Sequence, residues 1–418
     1  MRVNFRRMVG AAAMCAAFLM YVPAVSAQDV SGLWDAVIVA NKVDVPFRFE
    51  IAVKGGTAEG FFFEGDTKVG STAGSYQSGS LKLDYDFLNT ILEATFDGTE
   101  LKGTYRNNRP NARPQEFRAR RFATVPVSSQ APAKVEGSWA MYRSGENKFK
   151  LDVSWRLYLR ETGGEVSGAI LRTSGDTGTL IGRWTNGTLI MSHFAGERPL
   201  LFEATPNADG TLNVTLDRES KFIAARTGVA KDKGIPEPPD LTRFTSVKDP
   251  SERFHFSGLD INGNTLSDAD PRFQGKVVIL SLGGTWCPNC HDEMPVLVAL
   301  NKEFHSQGLE IVGLFFEADA DLAIAKPRVN AFVRRHKVDF PILVAGSRDD
   351  GEAKLPQLNN FAVYPTTVFL GRDGKVRSVH AGFASAATGE EHTRLTNEYR
   401  ETVRRLVAEA GAPKTAAR

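Results

Sequence analysis

The first half of this 418-residue chain is written twice, and that duplication constrains its fold more than any other feature. Gly32-Leu33-Trp34-Asp35 returns 105 residues later as Gly137-Ser138-Trp139-Ala140. Glu59-Gly60 in a run of phenylalanines returns as Ser167-Gly168 before Ala169-Ile170-Leu171, and Gly74-Ser75-Tyr76 as Gly182-Arg183-Trp184. Glu93-Ala94-Thr95 followed by Gly98-Thr99 returns as Glu203-Ala204-Thr205 followed by Gly210-Thr211. Ordered matches at a nearly constant offset mark a repeated structural unit. Within each copy, short runs alternate apolar and polar residues between Gly, Asn and Asp turns, a pattern of period two that a strand satisfies and a helix does not.

In the second copy these runs fall near 136–143, 151–160, 164–173, 177–185, 188–194, 199–206, 211–217 and 221–227. Eight such runs are enough to close an antiparallel barrel and leave no open edge. Each copy opens on Gly-x-Trp and ends on an arginine, Arg121 or Arg226, expected in its last strand. That pairing resembles the lipocalin-like (calycin) barrels, and the resemblance implies a guanidinium packed over the tryptophan at the closed end. Phe61-Phe62-Phe63 or Trp155 could line a ligand cavity or simply fill the barrels, since eight-stranded interiors are just wide enough for side chains. The expected units are 28–123 and 134–228, joined by a Pro/Ser/Ala linker.

Residues 1–27 read as a secretory signal peptide: Arg2, Arg6 and Arg7, an apolar run from Met8 to Val22, then Val25-Ser26-Ala27. The expectation is therefore an exported, periplasmic protein, soluble once the signal is cleaved. Cleavage would remove three arginines and no acid, taking the formal charge from +2 to −1. Near-neutrality gives no electrostatic reason to expect nucleic acid as a partner. Cleavage would also remove Cys15, leaving Cys287 and Cys290. Two cysteines three apart crosslink almost no chain, so their value lies in reactivity or ligation rather than stability.

After a Pro-rich, charged linker over 229–250 the periodicity changes. Strands are expected at Lys276–Leu282, Leu309–Phe316, Thr366–Leu370 and Lys375–His380, and helices at Asp292–His305, Lys326–His336 and Gly389–Ala410. Such alternation implies an α/β domain with parallel strands and crossover helices. The expected fold class is thus multidomain, two all-β barrels followed by an α/β domain over 251–412.

Trp286-Cys287-Pro288-Asn289-Cys290-His291 stands between the first of these strands and the first helix. Cys-x-x-Cys can cycle between dithiol and disulfide, whereas Cys-x-x-Cys-His is also a haem attachment peptide. At a strand-to-helix junction the positive end of the helix favours a thiolate on Cys287, which makes it the attacking sulfur and Cys290 the resolving one. Gln274-Gly275-Lys276 leading into the first strand, Glu293-Met294-Pro295, Tyr364-Pro365-Thr366-Thr367 and Gly371-Arg372-Asp373-Gly374-Lys375 follow in order. Together they resemble the thioredoxin fold of the TlpA-like exported thiol:disulfide oxidoreductases.

The resemblance implies that Pro365 is cis, that the backbone of Tyr364 and the ring of Trp286 meet an extended substrate, and that no cofactor is needed. It also implies a tuning carboxylate at Glu317, placed by its position at the end of a parallel strand and able to relay a proton to Cys290. The partners implied are a protein or small-molecule disulfide and a membrane-borne thiol donor, with the chain working as a protein-disulfide reductase. Ser281 stands where thioredoxin has a buried aspartate, and Gly283 where the family usually has a large aromatic.

Alternatives are a peroxiredoxin-like antioxidant enzyme, although Thr285 is only two residues before Cys287, and a ligand-binding protein built on the barrels. His193, His255, His291, His305, His336, His380 and His392 show no metal-ligand spacing. For His305 and His336, on helices, solvent-facing positions are expected.

Overall fold

A computed structural model describes residues 30–108, 112–123, 133–143, 154–238, 240 and 244–409. The expected signal segment 1–27, nearly all of the linker between the repeats, and the last residues expected in the C-terminal domain lie outside these.

Each repeat is a closed eight-stranded antiparallel meander. In the first, strands from Gly32–Ala40 to Gln115–Arg121 pair in sequence order, and first and last strands close the ring with Trp34 opposite Arg121. In the second, Gly137–Tyr142 closes on Ser220–Ala225 in the same way. Alternation puts Trp34, Ala36 and Ile38 inside the first barrel, and Trp139 and Met141 inside the second. A short extra strand hangs on the third strand of each, Thr67–Gly70 and Gly175–Asp176. Neither is legible by periodicity, being too short for a period to show.

The cap is the same in both copies. Arg121 Cζ lies 4.3 Å from the ring centre of Trp34, and Arg226 Cζ lies 4.4 Å from that of Trp139. Trp34 Nε1 donates to Val30 O at 3.0 Å and Trp139 Nε1 to Val135 O at 2.8 Å. Arg226 lies one residue beyond its strand, as the N-cap of a short helix, Thr227–Asp232. The expectation that it sits within the strand is corrected accordingly.

The barrels are filled. Phe62 is fully buried among Phe47, Phe49, Tyr85 and Tyr105, with centroids 4.8 to 5.8 Å apart. Phe61 and Phe63 point outward beneath Lys68 and Arg48, and Trp155 packs on Phe222. The mouth of the first barrel is stopped by the second: Phe194 inserts its ring 4.8 Å from Phe47, 5.2 Å from Phe62 and 5.4 Å from Tyr105. Tyr105 OH also donates to Gly196 O.

The C-terminal domain carries a seven-stranded sheet in the order Thr265–Ser267, Ser257–Leu259, Ile342–Ser347, Leu309–Glu317, Val277–Gly283, Thr366–Leu370, Val376–Ala381. Its three central strands are parallel and the rest antiparallel. Ile342–Ser347, Ser257–Leu259 and Thr265–Ser267 are elements the sequence reading missed. Helices Pro288–Phe304, Leu322–His336 and Glu390–Ala408 pack through Leu297, Phe332 and Tyr399 against Ile279, Ile311 and Phe315. The opposite face is covered by Phe254, Phe256, Leu358 and Phe361. Among the described residues no helix is long and apolar enough to cross a membrane.

Candidate active site

Within the central strand Val277–Gly283, alternation decides what lies beneath the cysteine motif. Val278, Leu280 and Leu282 face the helix-free side, so Ser281 and Gly283 face the helices. A Cβ built on Gly283 would stand 3.1 Å from Cys290 Sγ. A larger side chain in this position would require Cys290 Sγ or the Phe315 ring to give way.

The strand ends, and the helix begins at Pro288, four residues earlier than expected, with Cys287 as its N-cap. Proline at the first helical position lacks an N–H that would be unpaired there in any case. Cys290 N donates to Cys287 Sγ at 3.2 Å and to Cys287 O at 3.0 Å, so the sulfur does the work of a capping oxygen. Cys287 and Cys290 are joined as a disulfide, with Cα atoms 5.3 Å apart. Their residues are 3% and 1% exposed, too deep for a protein disulfide to reach as they stand.

Around the pair the structure assembles most of the expected residues. The Tyr364–Pro365 bond is cis. The Trp286 ring lies 5.5 Å from that of Tyr364 and donates Nε1–H to Phe316 O at 2.8 Å. Arg348 stacks over Trp286 at 4.4 Å. Glu317 is fully buried and takes two bonds from one residue: Thr285 N at 2.8 Å and Thr285 Oγ1 at 2.7 Å. Those bonds tie it to the loop that delivers Trp286 and Cys287.

A carboxylate that sequence reasoning did not single out lies one turn beyond Cys290. Glu293 is fully buried, accepting from Ser281 Oγ at 2.7 Å, from Tyr399 OH at 3.3 Å and from Thr367 Oγ1. Burial raises its pKa, against the lowering effect of those three hydroxyls. The signal was available: Cys290, Glu293, Leu297, Leu300 and Phe304 form one buried stripe at helical spacing, and an acid within such a stripe is out of place. Ser281, where an aspartate was expected, donates to this acid instead.

His291 does not present itself to a haem. Thr285 O, 3.0 Å from His291 Nε2, can only accept, so Nε2 carries the proton and Nδ1 accepts from His336 Nε2 at 2.7 Å. Burial pushes the pKa of His291 down to about 4 and lowers that of His336 as well. His336 therefore turns inward, against the expectation of a solvent-facing position, while the His305 side chain is exposed. With both ring nitrogens engaged and both sulfurs at a buried helix start, the motif does not fit thioether attachment.

Residues 247–379 match the AhpC/TSA family. Thiol-disulfide oxidoreductase ResA of Bacillus subtilis (strain 168) is 30% identical over 137 residues, which are 33% of this chain and 69% of that protein. The chain belongs to the thiol-disulfide oxidoreductases. The thioredoxin-like protein YneN of the same organism is 30% identical over 129 residues, 31% of this chain and 68% of that protein. A thiol:disulfide interchange protein of Chlorobium tepidum TLS, a solved structure, is 22% identical, covering 39% of this oxidoreductase and all of that chain with a TM-score of 0.31. As an oxidoreductase of this family the protein has a thioredoxin-fold domain at its C-terminus, set behind two barrels that the matched family segment does not include.

Proposed function

We propose that the protein is an exported protein-disulfide reductase in which Cys287 attacks and Cys290 resolves. In the reduced enzyme the Cys287 thiolate attacks one sulfur of a substrate disulfide, forming an enzyme–substrate disulfide and releasing the other sulfur as a thiolate. The Cys290 thiolate then displaces the remaining substrate sulfur, so two electrons pass to the substrate and the enzyme pair becomes a disulfide. A thiol donor on the membrane returns the pair to its reduced state.

The observation that carries this reading is the asymmetry of the pair. Cys287 caps a helix and its sulfur accepts from Cys290 N, while Cys290, 1% exposed, has its sulfur beside Gly283, one turn before the buried Glu293 on the same helix. A helix N-terminus stabilises the attacking thiolate. Glu293, with its raised pKa, is suited to take the proton that Cys290 must lose before it can resolve. Glu317 supports a positioning part, holding Thr285 and so the approach to Cys287. Tyr364 and Trp286, in contact with each other beside the cis-proline, are the residues we assign to the substrate backbone.

Replacing Cys290 with Ala tests the reading. The variant should accumulate a mixed disulfide between Cys287 and its substrate, isolated by thiol trapping from the exported fraction and identified by mass spectrometry. Absence of any adduct, or peroxide consumption by the wild-type chain outpacing insulin disulfide reduction, would sink it.

A further inference from the structure

The cysteine pair is buried although open α/β sheets bind ligands in a crevice outside the carboxyl ends of their strands. What lies over that crevice is part of this same chain. The loop Thr173–Asp176 of the second barrel runs between Asn289, one of the two residues separating the cysteines, and the segment 382–385 beside the cis-proline. Asn289 Nδ2 donates to Ser174 O at 2.9 Å. A Cβ on Gly175 would come within 2.3 Å of Asn289 Nδ2 and 2.7 Å of Phe383 O, and one on Gly382 within 2.7 Å of Thr173 O. Gly382 N in turn donates to Pro365 O at 2.7 Å, so the loop lies against the strip of backbone next to the cis-proline.

Several bonds hold it down. Asp176, 4% exposed, accepts from both Ser385 N and Ser385 Oγ, the latter at 3.0 Å. Arg198 of the same barrel donates to Asn289 Oδ1 at 2.6 Å and Asp176 O at 3.1 Å, and pairs with Asp292 at 3.4 Å. Arg160 Nη2 donates to Ala387 O at 3.0 Å. These contacts are polar, and two cavities of about 880 and 410 Å³ flank them, lined by Arg198, His291 and Asp292 in one and by Arg156, Tyr158 and Arg394 in the other. An interface of this character favours relative motion over permanent packing.

We propose that Thr173–Asp176 is a built-in lid that occupies the substrate cleft of the C-terminal domain, and that its release decides which disulfides reach Cys287. The lid rests on the assignment of Cys287 as the attacking sulfur. Locked, it excludes folded protein segments. Displaced, it frees the backbone beside Pro365 for an extended chain. Asp176 and Arg198 are positioning residues that set how often this happens, and bulky protein disulfides depend on release more than small ones.

Labelling of the reduced full-length chain with iodoacetamide, with alkylation at Cys287 followed by mass spectrometry, tests the lid without any turnover. Against a peptide of sequence Trp-Cys-Pro-Asn-Cys-His, with both rates taken at a pH where each thiol is fully ionised, wild-type Cys287 should react at least about tenfold more slowly, as expected of a site that opens only locally. Asp176→Ala and Gly175→Ala should each restore roughly tenfold in rate, and Arg160→Ala, at an exposed position that leaves both cores intact, a few-fold. Insulin reduction should rise in the same order, by more than reduction of a small aromatic disulfide. Wild-type labelling at the peptide's rate, or unchanged labelling in every variant that folds, overturns the lid. A chain that labels as expected yet reduces no disulfide would instead overturn the reductase reading.

Discussion

Glu293 concentrates the chemistry of this site in one side chain. Its carboxyl is buried among three hydroxyls, and burial raises its pKa. Between the ordinary carboxyl value and that raised one, the folded chain holds a proton that the unfolded chain has lost. Resolution by Cys290 should therefore speed up as pH rises through this window. Glu293→Gln should slow decay of the mixed disulfide by roughly 100- to 10,000-fold, the usual weight of a general base, and flatten its pH profile, measured by rapid-quench kinetics. Glu317→Gln should spare the shape of that profile. At Gly283, where an added Cβ would stand 3.1 Å from Cys290 Sγ, substitution by Phe should cost about 1–3 kcal/mol through overpacking, read by urea denaturation. An unchanged midpoint would mean that the strand shifts freely.

At the scale of elements, the two arginine–tryptophan caps are the same device used twice. Arg121→Ala or Arg226→Ala should each lower stability by about 1–2 kcal/mol, because each removes a cation–π contact and a carbonyl bond at the barrel's closed end. A loss confined to one of the two would show that the copies have diverged in what holds them. The barrels were legible in the sequence because alternation and repetition reinforce each other over many strands. Thr67–Gly70 and Gly175–Asp176 escaped because such short pieces carry no period. In the site, Cys287 and Cys290 were legible from spacing, since chemistry fixes their types, and the cis-proline followed from the resemblance that Tyr364-Pro365-Thr366-Thr367 helps to carry. Glu293 was on the page as part of Glu293-Met294-Pro295, but its meaning depends on which face of the helix is inward. Gly283 looked like a defect until the sulfur beside it was seen.

For the whole molecule, the docking of three units could not be read from sequence at all, because it uses loop residues and outward polar side chains that follow no pattern. Arg198 sits among Glu64, Asp176, Glu197 and Asp292, and burial pushes the pKa of Glu197 up to about 7. A carboxyl raised in this way favours the folded state fully below its ordinary value of 4.5, and that contribution is lost as pH rises through about 7. Glu197 alone should make stability fall by about 1–2 kcal/mol between pH 5 and 8, and Glu197→Gln should remove that share of the slope in thermal melts. A slope that survives the substitution would place its origin elsewhere. Phe194, the stopper in the first barrel, should cost about 3–5 kcal/mol when cut to Ala. Because the loop it anchors also carries Arg198, the same variant should quicken alkylation of Cys287.

The lid precedes its site in the order of synthesis. Asp176 meets Ser385 across 209 positions, and Arg160 meets Ala387 across 227. Domains made first fold first, and contacts so distant along the chain form late. Both barrels precede Cys287 along the chain, so a chain that folds as it emerges has an interval in which its thiols face the surroundings before the contacts at Ser385 and Ala387 can form. Whatever oxidises or reduces the pair during that interval acts on an uncovered enzyme, and the covered one inherits the outcome.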